Sequence, residues 1–113
     1  MAYEITDENL KEVISSNKVV LVDIWASWCG PCKMLGPVID DLFEDNKDIE
    51  GIVVGKANVD ECPTISSDYQ IKSIPTVLVF KNGVEVERLV GVNPKEKYQG
   101  IADNYLTDQD EDF

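Results

Sequence analysis

The fold is indicated by one stretch of the sequence, residues 19–33, which reads VVLVDIWASWCGPCK. Residues 19–26 form a nearly unbroken apolar run, which is typical of a strand buried on both faces of a sheet. Beyond the two cysteines, apolar residues recur at helical spacing, at positions 35, 38, 39, 42 and 43. The stretch therefore predicts a buried strand that leads directly into an amphipathic helix.

The two cysteines of this stretch stand where the predicted strand meets the helix. Cys29 and Cys32 are three residues apart, an offset that brings Cβ atoms to within about 5–6 Å at the start of a helix, so the pair can exist as dithiol or disulfide. At that position Cys29 is close to unpaired N–H groups and to the positive end of the helix dipole, which favour its thiolate. Gly30 permits a tight turn, and Pro31 is tolerated in a first helical turn. The pattern indicates a redox site.

Other sites with two close cysteines are disfavoured because the chain contains no histidine. Attached haem requires Cys-x-x-Cys-His, and Lys33 occupies the position of that histidine. Structural zinc needs four ligands, and Cys62 is the one remaining cysteine. A cysteine protease would lack its base. A static disulfide stays open as an alternative, although so short a loop gains little from closure.

The composition restricts the class of protein. With 113 residues, 43% of them apolar, the chain is expected to fold as one domain with its own core. Ten basic against 22 acidic residues give a net charge of −12, which disfavours nucleic acid and anionic membranes as partners. The sequence has no apolar window long enough to cross a bilayer, and its first residues, Met1-Ala2-Tyr3-Glu4, lack the basic and apolar regions expected of a signal peptide. We therefore expect a cytoplasmic protein, and in that compartment a Cys-x-x-Cys pair is more plausibly a working couple than a fixed cross-link.

Periodicity and turn signals predict the order strand, helix, strand, helix, strand, helix, strand, strand, helix. Thr6 is expected to cap the first helix, and Pro37 to kink the second. The pair Asn82-Gly83 predicts a type I′ hairpin turn. Residues 1–107 are assigned to one domain, and residues 108–113 to a frayed, solvated acidic tail. The remaining predicted elements are strands at 3–5, 19–26, 52–59, 76–81 and 84–90, a short helix at 63–69, and a last helix after Pro94.

Asp23 is unusual because it lies within the apolar run of residues 19–26. Burial of a carboxylate is costly and raises its pKa, whereas a neighbouring cation lowers the pKa. An edge-facing, solvated aspartate is the alternative. The sequence therefore marks Asp23 as a candidate functional residue beside the cysteines.

These motifs together resemble the thioredoxin family over nearly the full length of the chain. The resemblance rests on residues 22–26 leading into Trp28-Cys29-Gly30-Pro31-Cys32-Lys33, on Ile74-Pro75-Thr76, and on Lys81-Asn82-Gly83. It implies an α/β fold, the thioredoxin fold, in which a central mixed sheet of four or five strands has helices on both faces. That architecture agrees with the predicted order of elements.

The resemblance also implies a function, the reduction of disulfides in target proteins. Cys29 would attack the target disulfide, and the more buried Cys32 would then resolve the mixed disulfide. Asp23 would lie behind Cys32 and assist its deprotonation, with the catalytic Lys56 of the adjacent strand nearby. The protein would be a monomer with no metal and no bound cofactor, and NADPH would supply electrons through a thioredoxin reductase.

In the family, targets bind in a groove beside the cysteines. The resemblance implies that Pro75 is cis and that the backbone of Ile74 pairs with an extended target segment. Gly91 would allow close backbone approach, and Trp28 would offer an apolar surface. The full set of expected groove residues is Trp28, Gly30, Pro31, Ile74, Pro75 and Gly91.

Two other functions are compatible with such a fold. An oxidase or isomerase usually has histidine between its cysteines, so Pro31 favours a reductase. A non-catalytic interaction module would be free to lose Cys29, Cys32, Asp23 and Pro75, all of which are present. Cys62 stands where the family commonly has a polar residue; we interpret it as a small core filler, with a regulatory or dimer-forming thiol as the alternative.

Overall fold

A computed structural model describes residues 2–107. The elements follow the predicted order, with bounds mostly within one or two residues of those expected, and the predicted acidic tail lies outside the described residues. A short 3₁₀ turn at Val59–Glu61, which was not predicted, follows the third strand. The elements are β1 (Tyr3–Glu4), α1 (Leu10–Ser16), β2 (Val19–Trp25), α2 (Gly30–Asn46), β3 (Ile52–Asn58), α3 (Pro63–Asp68), β4 (Thr76–Lys81), β5 (Val84–Val90) and α4 (Lys95–Thr107).

The strands form one five-stranded mixed sheet in the order β1-β3-β2-β4-β5. Strands β1, β3 and β2 are parallel, whereas β4 is antiparallel to β2 and β5 is antiparallel to β4. The central strand β2 is buried over its first six residues. This confirms the predicted buried strand and the predicted mixed sheet, because a strand with neighbours on both edges and helices on both faces reads as a continuous apolar run.

Helices cover both faces of the sheet and create two hydrophobic cores. On one face, α1 and α3 bury Leu10, Ile14 and Ile65 against alternate residues of β2. On the other face, α2 and α4 bury Leu35 and Tyr98. Successive residues of a strand point to opposite faces, so the odd-numbered Asp23 lies on the α2 side, together with Leu21. Within residues 2–107, no helix combines the length and apolar character needed to cross a bilayer.

Of two local predictions, the hairpin turn at Asn82-Gly83 is confirmed and the helix cap at Thr6 is not. The Asn82-Gly83 turn has positive φ at both residues, 53° and 85°, as a type I′ turn requires. The predicted cap at Thr6 is wrong, because α1 begins at Leu10. The Thr6 hydroxyl instead accepts the N–H of Asn9 while the Asn9 side chain accepts the N–H of Thr6, so this polar pair closes a turn before the helix.

Gly55 is required where the edge strand β1 meets β3. A Cβ at this position would lie 2.6 Å from Cγ1 of Ile5 and 2.9 Å from the backbone oxygen of Tyr3. We therefore expect Gly55→Ala to lower the free energy of unfolding by about 1–3 kcal/mol in urea titrations. Gly100→Ala is the control, since its Cβ would meet nothing within 4 Å in the exposed middle of α4, and it should stabilise by about 0.5–1 kcal/mol. Equal effects of both changes would contradict this interpretation.

Candidate active site

The two cysteines lie at the junction that the sequence predicts, between the end of β2 and the start of α2. Cys29 is the N-cap of α2, with extended backbone dihedrals, and Pro31 occupies the first turn. Cys29 and Cys32 are joined as a disulfide with their Cα atoms 5.3 Å apart. The backbone N–H of Cys32 donates to Sγ of Cys29 at 3.2 Å. The helix end therefore presents a hydrogen-bond donor to the Cys29 sulfur, which stabilises a negative charge there once the pair is reduced.

Burial differs less between the cysteines than expected. The exposed fraction is 5% for Cys29 and 4% for Cys32. What distinguishes them is their surroundings. Sγ of Cys29 lies 3.8 Å from the carbonyl oxygen of Ile74, whereas Cys32 lines a cavity that also contacts Lys56. Cys29 therefore lies against the loop before β4, whereas Cys32 shares a cavity with Lys56.

The loop before β4 brings together three of the expected groove residues. The Ile74–Pro75 peptide bond is cis, as the resemblance implies. Gly91, directly after β5, donates its N–H to the carbonyl of Pro75 at 2.9 Å and has φ of +90°, a region that favours glycine. Ile74 is half-buried against Cys29. The loop before β4 thus forms a rim in which the Ile74 carbonyl borders the disulfide and Pro75 is held by the backbone of Gly91.

Trp28 directly precedes Cys29 and is 67% exposed. Its indole Nε1 donates to Oδ2 of Asp60 at 2.9 Å. Asp60 is oriented in turn, because its N–H donates to the side-chain oxygen of Asn58. Sequence reasoning missed Asp60, which lies 32 positions away and is brought close only by the 3₁₀ turn after β3. Gly30 and Pro31, which separate the two cysteines, are also exposed.

Asp23 is buried within β2, with 1% of its surface exposed. This excludes the solvated alternative. It pairs in register with Lys56 of β3, so both side chains lie on the α2 side of the sheet. Neither carboxylate oxygen has a hydrogen-bond partner among residues 2–107. Burial raises the pKa of Asp23 to about 7, while the Lys56 ammonium lowers this pKa and the Asp40 carboxylate raises it. Asp23 can therefore take up or release a proton near neutral pH.

Cys62 lies apart from the disulfide and is 2% exposed. Its thiol donates to the carbonyl oxygen of Ile5 at 3.7 Å, and burial raises its pKa. A reactive thiol is accessible and readily ionised, so these properties favour the interpretation of Cys62 as a core filler. Among the described residues, no group of three or more histidine, cysteine, aspartate or glutamate side chains is placed to hold a metal ion.

Comparison with known proteins adds evidence to this geometry. The sequence model of the thioredoxin family matches residues 1–104. A thioredoxin of Chlorobaculum thiosulfatiphilum is 48% identical over 106 residues, which cover 92% of this chain and 95% of that protein. Thioredoxin 1 of Synechococcus elongatus is 43% identical over 107 residues, which cover 94% of this chain and 98% of that protein.

The fold has a solved counterpart as well. The structure of a mutant thioredoxin from Halobacterium salinarum superposes with a TM-score of 0.83 at 32% identity. The match covers 96% of this chain and 94% of the other.

Proposed function

The chain belongs to the thioredoxin family, and on that premise we propose how its site residues share the work of a protein-disulfide reductase. The protein reduces disulfides by dithiol–disulfide exchange through Cys29 and Cys32. The observation that carries this function is the pair of cysteines joined at the N-terminus of α2, with a backbone N–H directed at the first sulfur. The roles of the other site residues, the electron source and the binding groove are our proposals.

The first step is attack by Cys29 on the target disulfide. In the reduced protein, the Cys29 thiolate forms a bond to one target sulfur, and the other target sulfur leaves as a thiolate that takes a proton from water. The N–H of Cys32 and the helix dipole stabilise the attacking thiolate. The product is a mixed disulfide between Cys29 and the target.

The second step is resolution by Cys32. Its thiol transfers a proton to the Asp23 carboxylate, and the resulting thiolate attacks Sγ of Cys29. The bond between Cys29 and the target breaks, and the target departs as its second thiolate. A pKa of about 7 suits Asp23 to this exchange, since a general base works best when its pKa is close to the working pH. Lys56 limits how far burial raises that pKa.

Targets bind at the rim around the disulfide. The carbonyl of Ile74 borders Cys29, so an extended target segment can pair with this backbone while its cysteine meets Sγ of Cys29. Pro75 and Gly91 shape one side, and Trp28 with Gly30 and Pro31 shapes the other. The hydrogen bond from Trp28 to Asp60 fixes the indole, so that its apolar surface is available without further ordering.

Electrons come from outside the chain. The family implies disulfide-containing targets and a reductase, and we propose a flavoprotein thioredoxin reductase that draws on NADPH. We further propose that the protein acts as a monomer in the cytoplasm, where thiols are kept reduced. Its net charge of −12 disfavours nucleic acid and anionic membranes as partners.

A coupled assay tests this electron route. The chain is mixed with insulin, NADPH and a bacterial thioredoxin reductase, and the oxidation of NADPH is followed at 340 nm. We expect consumption that depends on both proteins and stops when insulin is exhausted. Cys62→Ala should leave the rate unchanged, because that thiol is buried outside the site. If insulin is reduced with dithiothreitol but not with NADPH and the reductase, the proposed source of electrons is wrong.

A further inference from the structure

Lys56 forms the wall between two cavities on the α2 side of the sheet. Its ammonium lies 5.1 Å from the centroid of the Trp25 ring, and these two side chains line both cavities. One cavity, of about 290 Å³, reaches Cys32, and we call it the cysteine cavity. The other, of about 390 Å³, we call the acidic cavity; it is lined by Ala2, Glu4, Trp25, Asp40, Lys56, Asn58 and Glu61.

The acids of this region surround the lysine from several elements. Strand register places Glu4 of β1, Lys56 of β3 and Asp23 of β2 in one row across the sheet, with the lysine in the middle. Helix α2 covers this row. A Cβ on Gly36 would lie 3.8 Å from the Lys56 ammonium, so the lysine contacts the helix one turn before Asp40. Positions 32, 36 and 40 recur every four residues and share one helix face.

Lys56 has acids on two sides and is not held in an ion pair with one of them among residues 2–107. Asp23 lies on one side of it and the acidic cavity on the other. Asp40 is half-buried, whereas Glu4 and Glu61 are exposed and their charges are better screened by solvent. Asp40 is therefore the acid best placed to compete with Asp23 for the ammonium.

We propose that Asp40 is a positioning residue that draws the Lys56 ammonium towards the acidic cavity and so keeps Asp23 basic enough to accept the proton of Cys32. The proposal deepens the function given above and rests on the role assigned there to Asp23. The charges that act on Asp23 are Lys56 on β3 and Asp40 on α2. The other titratable groups that line the two cavities beside Lys56 are Glu4 on β1, Glu61 in the 3₁₀ turn, and Cys32 and Lys33 on α2. The direction of the electrostatic effect of Asp40 on Asp23 agrees, since the Asp40 charge raises the pKa of Asp23.

The test compares Asp40→Asn with Asp41→Asn. Both changes remove one negative charge from α2, but Asp41 is exposed and lies outside both cavities. The titration of Asp23 is followed by ¹³C NMR of the oxidised protein. Resolution is followed by the second of the two releases of thionitrobenzoate after the reduced protein is mixed with Ellman's reagent. With Asp40→Asn, both midpoints should move to lower pH by about half a unit. The reason is that the negative charge of Asp40 no longer opposes the ionisation of the Asp23 carboxyl. With Asp41→Asn, they should stay within about 0.1–0.2 unit of the unmodified protein.

Equal midpoints for the two variants would overturn the proposal. A second comparison tests whether Asp40 acts on Asp23 through Lys56. In a Lys56→Met background, the shift in midpoint caused by Asp40→Asn should fall to half or less. An undiminished shift would overturn the role of Lys56. Asp23→Asn separates this proposal from the proposed function. If the midpoint of the second release in Asp23→Asn stays where it is in the unmodified protein, the role of Asp23 itself fails, whatever Asp40 does.

Discussion

Replacing Cys29 with serine should abolish disulfide reduction, with a loss of at least about a thousandfold, because a hydroxyl does not form the sulfur–sulfur bond of the mixed disulfide. Insulin reduction with dithiothreitol as the electron source measures the loss. Cys62→Ser is the matched control, since it makes the same change of atom at a buried thiol outside the site. Substantial activity in Cys29→Ser would show that another group attacks the target.

The complementary change, Cys32→Ser, should separate the two steps. Attack by Cys29 remains possible, but resolution does not, so the mixed disulfide should accumulate and be visible by non-reducing electrophoresis and mass spectrometry. Cys29→Ser should give no such adduct. Adducts of equal yield in both variants would contradict the assignment of attack to Cys29 and resolution to Cys32.

Asp23→Asn should have opposite effects on stability and on rate. The folded-state pKa of Asp23 is about 7, above the ordinary value of 3.8, so the folded protein binds a proton that the unfolded chain releases between these values. Stability from this group is therefore lost as pH rises from about 4 to 7. At pH 8, Asp23→Asn should stabilise the protein by up to about 4 kcal/mol, since one pKa unit corresponds to about 1.36 kcal/mol. Near pH 4 the difference should vanish.

Urea unfolding at pH 4 and pH 8 measures this difference, with Asp41→Asn as an exposed control that should change little. Destabilisation by Asp23→Asn at pH 8 would contradict the raised pKa. The rate effect is read from the two releases of thionitrobenzoate. At pH 7 the second release should slow by about a hundredfold, the lower end of general-base effects, while the first changes little. Equal slowing of both steps would remove the proposed role of Asp23.

Local sequence signals predicted most of the fold because each has a local physical cause. The apolar run at 19–26 predicted a central strand, and the Asn82-Gly83 pair predicted a type I′ turn. The start of α1 was predicted incorrectly because Thr6 has the chemistry of a helix cap but uses it to close a turn with Asn9. The strand order and the need for glycine at position 55 depend on pairings between distant segments, which periodicity does not report.

The residues of the site also fall into two groups, those that local sequence predicts and those that depend on contacts between distant segments. The spacing of Cys29 and Cys32, and the aspartate inside an apolar run, mark the reacting groups without any structure. Lys56 was expected only from the resemblance, because its place beside Asp23 depends on strand register. Asp60 and Asp40 were missed for related reasons. The first meets Trp28 through the turn after β3, and the second was one of many acids in a chain with 22.

The most direct measurement of the central claim is the pH dependence of Cys29 alkylation. In the reduced protein carrying Cys62→Ala, the rate of iodoacetamide modification at Cys29 is followed by mass spectrometry between pH 5 and pH 10. If the helix end stabilises the attacking thiolate, the midpoint lies well below about 8.5, the value of a free cysteine. A midpoint at or above that of free cysteine would contradict the account.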